Sequence, residues 1–168
     1  MFQNVVAAIS RYAAYMAIAV MIAMVVHIMV EIILRSFFAT STHVAEEFVG
    51  YGLAAVVYLA LGHSLNQGGL IRVDLVLIRL PTRARRLIEV AIILASFAAM
   101  LFVTYFVGRS VLQHYKRGTV SWTIAEVPFW IPEAIVLLGI VLFLLQLVAY
   151  LLRILSGGPI VDDSKPSQ

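Results

Sequence analysis

The sequence predicts an all-α integral membrane protein, four transmembrane helices joined by short loops, and three observations carry that prediction. Of its 168 residues 62% are hydrophobic and only 12% charged, against about 45–50% apolar residues in soluble domains. Mean hydropathy is +1.00. The apolar residues gather into four runs, 12–34, 44–65, 87–107 and 132–152, each close to the roughly 20 residues that a helix needs to cross about 30 Å of hydrocarbon. Residues 1–155 therefore read as one four-helix transmembrane domain, and 156–168, rich in Gly, Ser, Pro and charge, as a flexible C-terminal tail. The absence of cysteine excludes disulfides and thiolate chemistry. A formal charge of +3 calls for no nucleic-acid partner, because the basic residues flank the apolar spans.

The first span is longer than the apolar core of a signal peptide and carries Glu31, so it reads as retained. His27, Glu31 and Arg35 recur at i, i+4 and i+8 and share a face. A carboxylate in hydrocarbon is costly, so that face must look into protein or headgroups. Three readings stand: a Glu31–Arg35 pair within the helix, a seam with another subunit, and a proton or ion path.

Ser41 or Thr42 is placed to cap the second span, and Glu46 and Glu47 in its first turn meet the favourable end of the helix dipole. The other reading is a cluster linking Arg35 to Glu47 across the first loop. His27 and His63 raise the question of haem. Their expected depths differ by about 18 Å, too far for two axial ligands of one iron, and His63 reads as a polar end group beside Asn66 and Gln67.

Between spans two and three runs GLIRVDLVLIRLP, residues 69–81, followed by TRARR. Arg72, Arg79, Arg83 and Arg86 recur at steps of seven, four and three among apolar residues, with Arg85 beside them. The stretch reads either as a helix lying along the membrane interface or as an extension of span three, which Pro81 can open. Asp74 pairs with a neighbouring arginine or with a partner.

Small residues at four-residue steps, Ala13 with Ala17, Gly50 with Ala54, and Ala91, Ala95 and Ala99, are expected to pack inside the bundle. In the last loop Gly118 permits a turn after Lys116 and Arg117. Pro128 and Pro132 bracket Phe129 and Trp130, and Trp122 and Trp130 suit an aromatic belt. This loop either settles on headgroups or receives another protein. There is no phosphate-cradling loop and no zinc-spaced ligand set, and Ser64, Ser96 and Ser110 lack an acid–base arrangement. No catalytic, cofactor or metal residues are therefore expected, and the chain is not expected to be an enzyme.

With the termini cytoplasmic, the inside holds Arg11, Arg72, Arg79, Arg83, Arg85, Arg86, Arg153 and Lys165, and the outside Arg35, Arg109, Lys116 and Arg117. Eight basic residues against four favour that orientation.

Taken in order, RSFF (35–38), EEFVGYG (46–52), LGHSLNQGGLIRVDLVLIRLP (61–81), KRGTVSWTIAEVPFWIP (116–132) and LLG (137–139) resemble the small, Q-type membrane subunit of tripartite ATP-independent periplasmic (TRAP) transporters. The resemblance covers about residues 20–153 and implies a multi-pass protein of the bacterial inner membrane. It further implies a scaffold that enlarges and steadies a large M-type subunit. That subunit would hold the substrate and sodium sites, so sodium is expected there and no cofactor in this chain. A periplasmic binding protein would deliver an organic acid, a dicarboxylate, sialic acid or another carboxylated metabolite.

Arg35, Glu46, Glu47, Arg72, Asp74, Gly118 and Pro128 match the family's elements by position, and the resemblance gives them structural and partner-contact roles. Glu31, Lys116 and Arg117 join them as candidate contacts. Arg79, Arg83, Arg85, Arg86, Trp122 and Trp130 are candidate interface anchors, the arginines against membrane phospholipids. A self-contained four-helix transporter or channel and a homo-oligomeric membrane scaffold are the competing classes.

Overall fold

The computed structural model describes residues 2–67 and 82–155. The arginine-rich stretch from 68 to 81, with Arg72, Asp74 and Arg79, lies outside the described residues, as does the tail 156–168, so neither the interfacial-helix reading nor the tail reading is addressed. Among the described residues four helices follow one another: α1 (Phe2–Phe38), α2 (Ala45–Asn66), α3 (Thr82–Arg117) and α4 (Trp130–Leu155). All four are long and apolar enough to cross a membrane.

At about 1.5 Å per residue, α2 with its 22 residues just spans the hydrocarbon. The 37-residue α1 and 36-residue α3 outrun it by several turns. α3 continues ten residues past the expected end of its span, because nothing in VGRSVLQHYKR stops a helix until Gly118. There the chain turns left-handed at φ 60°. Gly118 N–H donates to Tyr115 C=O at 3.4 Å and Thr119 N–H to His114 C=O at 3.3 Å, the paired bonds of a Schellman stop. Lys116 and Arg117 thus sit in the last turn of α3, complementing its dipole, and not in the loop.

α4 is the hub. It packs against each of the other three, α1 packs also on α2, and the substantial contacts of α3 are with α4. Its buried stripe runs through Gly139, Ile140, Phe143, Leu144, Leu147, Tyr150 and Ile154, steps of one, three and four that keep one face inward. One core cluster joins Phe143, Leu147, Tyr150 and Ile154 to Leu65 of α2 and Ile93 of α3. A second joins Ala13 and Ala17 of α1 to Ala55 and Leu59 of α2, so the first small-residue seam packs as expected.

The other two seams do not. Gly50 is exposed, with open space where a Cβ would stand. Ala91, Ala95 and Ala99 face away from the bundle, because α3 turns Ile93, Phe97 and Met100 toward α4 instead. Among the glycines of the described residues the closest approach to another backbone is made at Gly139, where a Cβ would come within 2.6 Å of Tyr58 C in α2.

Candidate functional site

At the end of the bundle where α1 turns into α2 and α3 into α4, three carboxylates hold the two connections. Glu31 is 5% exposed although it sits on α1, one turn before Arg35. Arg35 Nε donates to Glu31 Oε1 at 2.7 Å. Thr42 donates twice to Oε2, from its backbone N–H at 3.0 Å and from Oγ1 at 2.6 Å. Ser41 Oγ donates to Oε1 and accepts the N–H of His43 at 3.1 Å.

One carboxylate therefore organises the whole 39–44 turn, in which Ala39 and His43 take left-handed φ values of 48° and 57°. Such conformations cost non-glycine residues roughly 1–2 kcal/mol each, and the charge-assisted bonds to Glu31 are what hold the turn in them. Of the three readings of Glu31, the intrahelical pair is present, and the carboxylate also takes a loop-holding role that spacing alone did not suggest. The expected cap of α2 is absent: Val44 occupies the N-cap without a side-chain bond, because Ser41 and Thr42 are turned back to Glu31.

Glu47 does not meet Arg35. It points across to the last loop, accepting from Tyr51 Oη at 2.6 Å and from Thr123 Oγ1. Thr123 in turn lies 2.9 Å from Ser121 Oγ, which accepts the N–H of Val127 at 3.2 Å. The loop is a small hairpin: Ser121 N–H bonds Val127 C=O at 2.9 Å, Phe129 N–H bonds Thr119 C=O at 3.2 Å, and Val120 bridges Pro128. Gly118 and Pro128 thus mark the two ends of this hairpin, and Glu47 pins it to α2.

Glu133, in the first turn of α4, supplies the third clamp and was not singled out from sequence. It accepts from Ser110 Oγ at 3.1 Å and stands 2.9 Å from His114 Nδ1. Both partners lie one turn apart on α3. The missed signal is the i, i+4 spacing of Ser110 and His114, which is informative only once α3 is known to extend to Arg117.

Glu46, Lys116 and Arg117 are exposed around these clamps. Trp122 is fully exposed, at 100%, with Ile124 at 79% and, at the end of α1, Phe37 at 80%. Trp130 instead packs edge-on against Tyr115, with ring centroids 5.5 Å apart. Arg83, Arg85 and Arg86 fall in the opening turns of α3, and their side chains are outside the description. His27 packs on Phe48, centroids 5.8 Å apart. His63 lies fifteen residues further along α2, about 22 Å away, so the two imidazoles do not converge.

Such an arrangement binds loops to helices. Glu31, Glu47 and Glu133 have both oxygens engaged by hydroxyls, an amide, an imidazole or a guanidinium of this same chain, and the surface left over carries the exposed charges of Glu46, Lys116 and Arg117 beside apolar tips. Fold and site together define a small four-helix membrane protein with a fixed, internally braced end. A family model for the DctQ component of tripartite ATP-independent periplasmic transporters matches residues 24–157. The chain belongs to that family, and its general role is that of the small, Q-type membrane component of a TRAP transporter. No match is found among curated proteins or among solved structures.

Proposed function

We propose that this chain is the stationary scaffold subunit of a sodium-coupled organic-acid importer, without catalytic activity of its own. In this reading it lies in the bacterial inner membrane with both termini in the cytoplasm. It steadies a large M-type subunit that carries the substrate and sodium sites, and its exposed ring of Lys116, Arg117 and Trp122 helps to dock the periplasmic binding protein. The single observation that carries the proposal is the family match over residues 24–157, which takes in the end of α1 bearing Glu31 and the three helices that follow.

The bracing supports the same reading in physical terms. Glu31, Glu47 and Glu133 are spent on holding the 39–44 turn, the hairpin and the α3–α4 contact. A scaffold beside a moving partner needs such a rigid end. The arginines 72, 79, 83, 85 and 86 would hold the opposite end against anionic headgroups, each contributing roughly 1 kcal/mol near the surface.

The test is flux. Liposomes holding the full chain alone should show no sodium-driven uptake of labelled carboxylates, and uptake by the chain alone would overturn the scaffold assignment in favour of a self-contained transporter. Charge reversal at Lys116 and Arg117 should weaken binding-protein docking and flatten its salt dependence. Unchanged affinity and unchanged salt dependence would remove the docking role while leaving the scaffold role in place.

A further inference from the structure

The opposite end of the bundle carries a second polar site that the scaffold reading leaves unused. Arg11, Ala14, Tyr15 and Ile18 fall at i, i+3, i+4 and i+7 on one stripe of α1, and His63 and Gln67 are four residues apart at the end of α2. Together these six residues line a cleft of about 300 Å3. Register follows from the adjoining contact, where a Cβ on Gly62 would stand 3.1 Å from Ser10 Oγ, which in antiparallel helices puts Arg11 and His63 within about 3 Å of one level. Because the helices are antiparallel, Gln67 lies one turn toward the membrane surface, and Tyr15 and Ile18 lie one and two turns toward the bilayer centre.

Depth and charge both point to a ligand. Arg11 precedes Glu31 by twenty residues on one continuous helix, about 30 Å, so the two sit one hydrocarbon thickness apart. Glu31 marks one interface and the cleft therefore marks the other. Among the described residues no carboxylate pairs with Arg11. His63 Nδ1 is buried with no hydrogen-bond partner, a cost that rotation of the ring toward a ligand oxygen in the cleft would relieve.

We propose that this cleft binds the headgroup phosphate of an anionic phospholipid. Arg11 supplies the charge and a forked pair of N–H donors, which match a phosphate geometrically. His63, in the tautomer protonated at Nδ1, and Gln67 donate the remaining hydrogen bonds. Ala14 and Ile18 wall the path of the first acyl methylenes. The grading from polar to apolar along the cleft favours a lipid over free phosphate, which would use only the polar half. The proposal stands independently of the transporter assignment, since it needs only the spans and the side chains that face the cleft.

Native mass spectrometry of the full-length chain in detergent, with phosphatidylglycerol and phosphatidylcholine of the same acyl chains at equal mole ratio, tests it. One phosphatidylglycerol should be retained in preference. Arg11→Gln should lower that retention about fivefold, the effect of one interfacial cation, and His63→Phe should lower it as well. Arg109→Gln should retain it, Arg11→Lys, which keeps the charge without the fork, should retain more than Arg11→Gln and less than the unaltered chain, and helix content by circular dichroism should match in all variants. Equal retention of both lipids by the unaltered chain, or undiminished phosphatidylglycerol in both Arg11→Gln and His63→Phe, would overturn the site. Displacement of the lipid by millimolar inorganic phosphate would overturn its assignment to a lipid.

Discussion

Alanine at Gly139 measures how closely α2 and α4 are drawn together, and its effect can be worked from the structure. A Cβ at that position would stand 2.6 Å from Tyr58 C and 2.7 Å from Tyr58 O, both backbone atoms of α2. Carbon–carbon contact is favourable only near about 3.5–4.0 Å, so the two backbones must part by about 0.9 Å. Main-chain atoms inside a helix cannot rotate away as a side-chain tip can. Overpacking of this kind costs about 1–3 kcal/mol.

Alanine also gains up to about 1 kcal/mol over glycine through helix propensity, so the comparison needs a glycine with room. Gly50 has nothing within 4 Å of its would-be Cβ, and at Gly108 the nearest atoms are at 4.0 Å. Gly50→Ala and Gly108→Ala should be neutral or stabilising, and Gly139→Ala should fall below both by about 1–3 kcal/mol. Unfolding of the detergent-purified full chain by titration with dodecyl sulfate, followed by far-ultraviolet circular dichroism, reads the difference. Equal stability of Gly139→Ala and Gly50→Ala would refute the close approach of α2 and α4 and with it the place of α4 as hub.

Three further outcomes follow from the same geometry. Glu31→Gln should speed amide hydrogen exchange across residues 39–44, Glu47→Gln should do so across 119–129, and Glu46→Gln, on an exposed carboxylate, should do neither; exchange confined to the wrong loop would break the clamp assignments. Ser10 Oγ donates to Gln146 Oε1 at 3.3 Å between two buried side chains, and a double-mutant cycle with Ser10→Ala and Gln146→Leu should give a coupling of about 0.6 kcal/mol, as for polar pairs between membrane helices. A coupling of zero would mean the pair is not formed. Because the chain has no cysteine, single cysteines at Asn4 and Lys116 report orientation: a membrane-impermeant maleimide on intact spheroplasts should label Lys116→Cys and spare Asn4→Cys, and the reverse pattern would invert the proposed topology.

The spans were legible because hydropathy over about twenty residues reports the solvent itself, and helices are the available way to satisfy backbone groups there. The Glu31–Arg35 pair was legible for a similar reason, since one turn of helix fixes it locally. What the sequence hid was partner choice across helices. Ser41 and Thr42 are capping residue types just ahead of α2, yet the cap position falls on Val44 and a buried carboxylate takes both side chains with several charge-assisted bonds. Glu47 bonds Thr123, seventy-six residues away, a distance no spacing rule reaches.

Glycines show the same limit. α2 is apolar on nearly every side, so periodicity does not say which face packs, and the glycines that are buried are Gly52 and Gly62, not Gly50. Likewise the third apolar run ends at Val107, where hydropathy falls, although the helix itself runs on to its glycine stop.

The proposed role as fixed scaffold of a larger transporter is tested by the mass and composition of what the chain binds. The tagged chain would be extracted from native membranes in several mild detergents and its complexes weighed. A scaffold subunit should emerge in a complex near 1:1 with a many-helix membrane protein. A lone or self-associated chain in every detergent, with no large partner, would contradict it.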